Sequence, residues 1–165
     1  MPAEVRVAHP AEYPALGAIA VCAYRELGGL PDDHAYYDRL ADVAGRAIDN
    51  DILLAMLDGE IAGVATYVPG PYTSMSEFDD PEAAGIRMLA VDPRFQGLGL
   101  GKALTAACLD RARRAGRRRV VVHSSQLQRI AQAMYPAMGF RREPALDRTP
   151  EPGVFLSAFV FEIGE

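Results

Sequence analysis

Apolar residues recur along this chain in two rhythms, and the switches between them mark the elements. Residues 5–8 alternate as a short strand that His9-Pro10 ends. From 11 to 26 the apolar positions Leu16, Ile19, Ala20 and Ala23, continued by Leu27, fall on one helical face, with Gly28-Gly29 and Pro31 as the stop. Asp32 or Asp33 caps a second predicted helix over 34–47, with Tyr37, Leu40, Ala41 and Ala44 on one side. Two strands, 52–57 and 61–68, meet at Asp58-Gly59, a hairpin signal. A long irregular segment, 69–83, then carries three prolines and the acids Glu77, Asp79, Asp80 and Glu82; a loop of that length inside a domain is functional or mobile. Residues 86–91 form the next strand, followed by a helix to about 115 with Leu104, Ala107, Cys108 and Ala112 on its buried side and Gly116 as its stop. The β-branched run 120–123 reads as a central strand. A last helix, 126–138, is capped by Ser124 or Ser125 and stopped by Gly139, and 140–142 and 154–163 close the order around a proline-broken loop. The pattern is neither strictly alternating nor segregated, so it predicts one α/β domain over residues 1–165, of mixed α+β character: a mixed sheet of about seven strands flanked by about four helices on both faces.

Between the strand at 86–91 and its helix lies the stretch that organises the chain. Pro93 stops the strand, Gly97, Gly99 and Gly101 alternate through Gln96-Gly-Leu-Gly-Leu-Gly101, and Lys102 opens an Ala- and Leu-rich helix. Glycines there permit positive φ and close approach of a ligand to the backbone, while the free N–H groups and positive dipole end of a helix favour an anion such as a pyrophosphate. Two nucleotide motifs fail on counting. A P-loop would need glycine where Gln96 stands and a hydroxyl where Ala103 stands; a dinucleotide fingerprint started at Gly97 or Gly99 would need glycine at Lys102 or Leu104.

Composition narrows the field further. Of the 165 residues 50% are hydrophobic and 24% charged, ordinary for a globular chain with a sizeable core. A net charge of -5 argues against a general nucleic-acid binder, and the arginine run from Arg111 to Arg119 is read as complementing a helix C-terminus and leading into the next strand. Cys22 and Cys108 have no metal-type spacing and are expected as two buried thiols in a reducing cytoplasm. No stretch is apolar for long enough to span a membrane, and Met-Pro-Ala-Glu-Val-Arg lacks a signal peptide's apolar core. A cytoplasmic protein with no metal, membrane or nucleic-acid partner is the expectation.

What the glycine stretch does fit is Gln-x-x-Gly-x-Gly, filled by Gln96, Gly99 and Gly101 after a Leu-x-Val strand and a proline. This resembles the pyrophosphate loop of the GNAT superfamily of acyl-CoA-dependent N-acyltransferases. The element order resembles that fold along nearly the whole chain, and Ala131-Gln-Ala-Met-Tyr-Pro-Ala-Met-Gly-Phe140 is similar to the Ala-x-x-Leu-Tyr-x-x-x-Gly-Phe segment of its last helix. The resemblance implies acetyl-CoA as acyl donor, its pantetheine arm lying where two parallel strands part. Leu89, Ala90 and Val91 would bond that arm and the thioester carbonyl, with Gln128 beside it where many members carry Asn. Gln96, Gly97, Leu98, Gly99, Leu100, Gly101 and Lys102 would hold the pyrophosphate, with Arg94 and Lys102 as its cations.

The implied chemistry is direct transfer to a primary amine in a ternary complex, with Tyr135 as the general acid at the departing thiolate. A phenol of pKa about 10 facing a thiolate of about 8.5 favours a hydrogen bond over early full proton transfer. Pro136 predicts a kink that re-aims the phenol. The amine, near pKa ~10.4 for a lysine-like group, must lose a proton. The strand at 86–91 offers Arg87 but no carboxylate, so the base is sought among Glu77, Asp79, Asp80, Glu82 and His123, with Glu82 carried forward beside Tyr135 as catalytic. The acids of loops 28–33 and 69–83, which with 143–153 surround the acceptor, predict a small cationic amine or a peptide amine. A homodimer through a strand edge is the assembly considered. The rival expectation is a non-catalytic acyl-CoA-binding module that senses the cofactor.

Overall fold

In the computed structural model, which describes residues 3–164, eight strands join in one sheet: β1 (Glu4–Val7), β2 (Asp51–Leu57), β3 (Glu60–Val68), β4 (Ala83–Val91), β5 (Arg119–Ser125), β6 (Arg141–Arg142), β7 (Arg148–Glu151) and β8 (Val154–Glu162). The order is β1-β2-β3-β4-β5-β8-β6, with β7 also paired to β8. Only β4 and β5 run parallel; the other neighbours are antiparallel. Five α-helices cover the sheet: α1 (Tyr13–Leu27), α2 (Tyr36–Ala41), α3 (Val43–Arg46), α4 (Leu100–Arg114) and α5 (Arg129–Ala137).

Of the departures from the pattern-based expectation, three have a local reason. The helix predicted over 34–47 is two helices, because Asp42 leaves helical geometry (ψ 70°) and its carboxylate accepts the Gly45 N–H at 2.9 Å, capping a new start. The last helix begins at Arg129 rather than near 126, since the Ser125 hydroxyl and the Gln128 side chain accept the N–H groups of Leu127 and Ser125 and hold a turn there. The proline-broken loop contains the edge strand β7, where Pro150 is tolerated on the sheet's rim and Gly153, at φ 84°, turns the chain back into β8.

Alternating side chains divide the interior into two large cores and a small third cluster of Ala83, Val121 and Val160. Leu53, Ala55, Ala65, Tyr67, Ala84 and Ile86 pack under α4 with Leu100, Leu104 and Cys108. Ile52, Leu54, Val64 and Val68 pack under α1, α2 and α3 with Leu16, Ile19, Leu40 and Val43. Strict alternation along β4 would place Met88 and Ala90 with Ile86, yet both belong to the α1 core while Leu89 and Val91 pack against the α4 core. The strand therefore changes faces between Ile86 and Met88. Cys108 is buried as expected, whereas Cys22 is exposed, because it lies off the apolar stripe of α1.

Gly17, mid-helix in α1, lets α2 approach closely: a Cβ there would sit 2.5 Å from the Ala41 carbonyl oxygen. Gly17→Ala should destabilise the fold by about 2 kcal/mol despite alanine's better helix propensity. A urea midpoint equal to or above that of the parent chain would show that the two helices can separate freely.

Candidate active site

The site begins where β4 and β5 part. Their pairing runs from Ala83 opposite Arg119 to Ile86 opposite Val122 and goes no further. From His123 onward β5 pairs only with β8. At the same level β4 gains a residue against β3: Thr66 faces Arg87 and Val64 faces Ala90, so Met88 and Leu89 together oppose Ala65. This is a β-bulge, with Met88 at φ 52°. It produces the change of faces described above and leaves the β5-side edge of residues 87–91 without a strand partner. An extended polar chain can lie along such an edge.

At the end of β4 the Asp92 N–H donates to Ala62 O at 2.8 Å, and a single 3-10 turn (Pro93–Phe95) leads into the glycines. Gly97 and Gly99 have φ of 80° and 83°, where a side chain would be strained, and Gly99 is the N-cap of α4. The first helical bond runs from Ala103 N–H to Gly99 O, so the N–H groups of residues 99–102 have no helical partner and Leu100, buried, anchors the turn. Gly101 needs no positive φ, and a Cβ there would make only ordinary contacts with Met134 and Val91 at 3.7 and 3.9 Å. Arg94 folds back onto Asp92 at 3.1 Å and stacks over Phe95. Of the two expected phosphate cations, Lys102 alone has no carboxylate partner among the described residues. Gln96 and Leu98 are exposed on the same loop.

Tyr135 stands on α5 between Phe140 and Phe159, at ring distances of 5.1 and 5.6 Å, and is 2% exposed. Burial pushes its phenol above the ordinary value. Burial likewise raises Tyr24, with Tyr36 and Tyr135 within electrostatic reach. Gln128 is held by its Oε1, which accepts from the Ser124 hydroxyl and the Ser125 N–H at 3.1 and 2.9 Å.

Beside this gap opens a cleft of about 740 Å³. One wall carries Tyr24, Tyr36 and Arg39; the other carries Arg148, Glu151 and Phe155; Arg87, Met88, His123 and Gln128 line it where the strands part. Glu77 ties the site together. It accepts from Arg87 Nε and Arg148 Nη1, both at 2.9 Å, and its carboxylate lies 3.8 Å from His123 Nδ1. His123 Nε2 lies 2.8 Å from Leu146 O, so Nε2 carries a proton and Nδ1 is the open position. The 69–82 segment that delivers Glu77 is anchored, with Thr73 donating to Asn50 at 2.7 Å and the Ser74 N–H to Asp49 at 2.8 Å.

Glu82 lies outside this constellation. It immediately precedes β4, at the end opposite the glycine loop, and faces Arg119 and Arg118 at 3.7 and 3.9 Å. Asp80 pairs with Arg119 at 2.7 Å. Asp80 and Glu82 of the acidic loop and Arg118 and Arg119 of the arginine run thus neutralise one another away from the cleft. Arg148, Glu151, Tyr24, Tyr36 and Arg39 were not singled out by sequence. No motif marks them, and only the fold brings them to one cleft.

A splayed parallel pair beside a glycine-rich helix start, with a polar cleft opening onto the gap, is the arrangement the fold presents. The acetyltransferase (GNAT) family model matches residues 14–140, and this chain belongs to that family, whose acyl donor is acetyl-CoA. A mycothiol acetyltransferase of Sanguibacter keddieii is 37% identical over 130 residues, which cover 78% of this chain and 39% of that relative. The rat N-acetylaspartate synthetase is 31% identical over 104 residues, 63% of this chain and 32% of that protein. The chain thus spans well under half the length of these curated relatives. Among solved structures, yncA of Salmonella typhimurium with its cofactor acetyl-CoA superposes at a TM-score of 0.72, covering 100% of this chain and 96% of that one at 23% identity.

The buried phenols give a pH signature. Tyr135 and Tyr24 are raised, and burial pushes Tyr67 up to about 12. A pKa higher in the folded than in the unfolded chain adds stability that is fully present below the unfolded value, about 10, and is lost as pH rises through the folded values. Urea midpoints should fall on going above pH ~10, and Tyr135→Phe should show a smaller fall. Equal falls in both proteins would place the Tyr135 hydroxyl in water.

Proposed function

We propose that this domain transfers an acetyl group from acetyl-CoA to a primary amine, on a small molecule or a peptide, by direct attack in a ternary complex within the cleft. The observation that carries the reading is the meeting of two spaces. Arg87 and Met88 of β4 and His123 of β5 line the acceptor cleft at the level where β4 and β5 stop pairing, so donor and acceptor would face each other across that opening. The residues suit the donor: the unpaired edge at Leu89, Ala90 and Val91 for the amides of its pantetheine arm, and the free N–H groups of 99–102 with Gln96 and Lys102 for its pyrophosphate. Bound acetyl-CoA supplies a thioester whose C–S bond is exchanged for an amide bond to the acceptor nitrogen.

The chain supplies the rest. A β4 backbone N–H such as that of Leu89 offers a hydrogen bond to the carbonyl oxygen as it gains charge. Tyr135, its proton held by burial, serves the departing sulfur as a hydrogen-bond donor and delivers the proton late. The base is His123 rather than Glu82: its Nδ1 is the position open to a second proton, and the Glu77 carboxylate at 3.8 Å would stabilise the imidazolium that forms. Arg87 and Arg148 hold Glu77 in place for that task.

Calorimetric titration with acetyl-CoA, followed by thiol detection over an amine panel, tests this reading. Tyr135→Phe should slow thiol release by about ten- to a hundredfold. His123→Ala should lower kcat/KM by a similar factor near neutral pH, with the deficit shrinking as pH approaches the amine's own pKa. Acetyl-CoA binding with no thiol release from any amine would assign the chain to the non-catalytic sensing class instead.

A further inference from the structure

The charges of the cleft specify the acceptor more narrowly than the acidic loops of the sequence do. Asp32 lies fully in solvent, 3.9 Å from Arg25, and Asp80 and Glu82 are paired at the far end of β4. The two carboxylates that do line the cleft are already engaged. Glu77 is bound by Arg87 and Arg148. Glu151 accepts from His34 Nε2 at 2.9 Å; because His34 Nδ1 accepts the Tyr36 N–H at 3.0 Å, the neutral ring makes both bonds. No acid is left over to receive an ammonium.

Arg39 is the opposite case. It projects from α2 into the cleft, lies 5.8 Å over the Tyr36 ring, and has no ion-pair partner among the described residues. Tyr36 is itself braced against Tyr24 at 5.9 Å, so the guanidinium rests on an aromatic wall. The lining therefore holds three guanidiniums, Arg39, Arg87 and Arg148, against two carboxylates, an excess of one positive charge. Leu27, Leu127 and Phe155 at the same cleft lower its polarity and strengthen what an unpaired cation can do there.

We infer that the acceptor carries a carboxylate beside its primary amine, as a free amino acid does, and that Arg39 receives that carboxylate. The inference rests on the reading of the cleft as the acceptor site. A guanidinium binds a carboxylate through two parallel N–H donors, which fixes the direction of the ligand as well as holding it. With its acid end on the Arg39 wall, the amine points across the cleft toward His123 and the opening between β4 and β5.

Matched pairs test this: leucine, phenylalanine and serine against their carboxamides, by thiol release with acetyl-CoA and by calorimetric binding to the protein loaded with CoA. Amidation makes the neighbouring amine easier to deprotonate, so a preference for the acid runs against intrinsic reactivity and reports recognition. At least one acid should exceed its amide about tenfold in kcat/KM and in affinity, as expected for a charge-assisted pair. Arg39→Ala should bring that ratio close to one, and Arg39→Lys should keep part of it. Arg39 is exposed, so its side chain can be changed without disturbing the core. Amides equal to or better than their acids throughout, or a variant that lowers both members of each pair alike, would overturn the inference. Thiol release from amides without acid preference removes this inference alone; absence of release from every amine removes the parent reading, and the binding arm still decides the carboxylate question.

Discussion

One extra residue in β4 governs the architecture of the site. Side chains on a strand alternate faces, so an inserted residue sends everything beyond it to the other side of the sheet. Ile86 belongs to the core under α4, whereas Met88, two residues on, belongs to the core under α1. The same insertion bends β4 away from β5, whose pairing to it ends at Ile86 and Val122. Met88 holds a left-handed φ of 52°, a conformation costing of order 1–3 kcal/mol. Its side chain is 4% exposed, and burial of such a side chain contributes about 2 kcal/mol, enough to offset that cost. The strain is thus held by packing on one face while the opening it creates lies on the strand's edge.

Around that opening the polar order is divided between two ends of the sheet. At the start of β4, the acids at 80 and 82 meet the arginines at 118 and 119 and the charges cancel in pairs on the protein's rim. At the level of the bulge, Glu77 joins β4, β5 and β7 through Arg87, His123 and Arg148. Glu77, Arg87 and His123 are largely screened from water, while Arg148 reaches them from the exposed rim. The cluster fixes the cleft floor and brings β7 to it, while His34 and Glu151 tie the same strand to the segment before α2. The cleft walls therefore come from separate parts of the chain, several of them joined by these ion pairs.

The glycine-rich turn into α4 was legible in the sequence because it is local: Gly97 and Gly99 stand where the backbone requires left-handed φ, and Leu100 is the buried residue that follows. Helical stripes and the Asp58-Gly59 hairpin were legible for the same reason. The bulge was not, since nothing in Ile-Arg-Met-Leu-Ala distinguishes an alternating strand from one that gains a residue; only the register against β3 reveals it. Acidic residues misled for a related reason. Glu77 and Glu82 are five positions apart in one loop, yet one reaches the cleft and the other an arginine cluster, and the choice is made by partners distant in sequence. Arg39, Arg148 and Glu151 are ordinary surface residues until α2 and β7 face each other.

The Tyr-Pro pair illustrates how a local rule can hold and still mislead about the site. Pro136 does lack an N–H, but it falls in the last turn of α5, where the helix needs few further bonds and ends at Ala137. The Met138 N–H still reaches Met134 O at 3.0 Å, Gly139 reverses the chain at φ 103°, and the Phe140 N–H returns to Tyr135 O at 3.0 Å. The Phe140 ring thereby lands 5.1 Å from the Tyr135 ring. The proline falls at the helix end in register for this return, and the Tyr135 ring is clamped against Phe140. Clamping carries a chemical consequence. A ring so enclosed cannot easily become a phenolate, and its raised pKa makes it a firmer proton holder than a phenol in water. Such a group can donate a hydrogen bond to a neighbouring anion while keeping its proton.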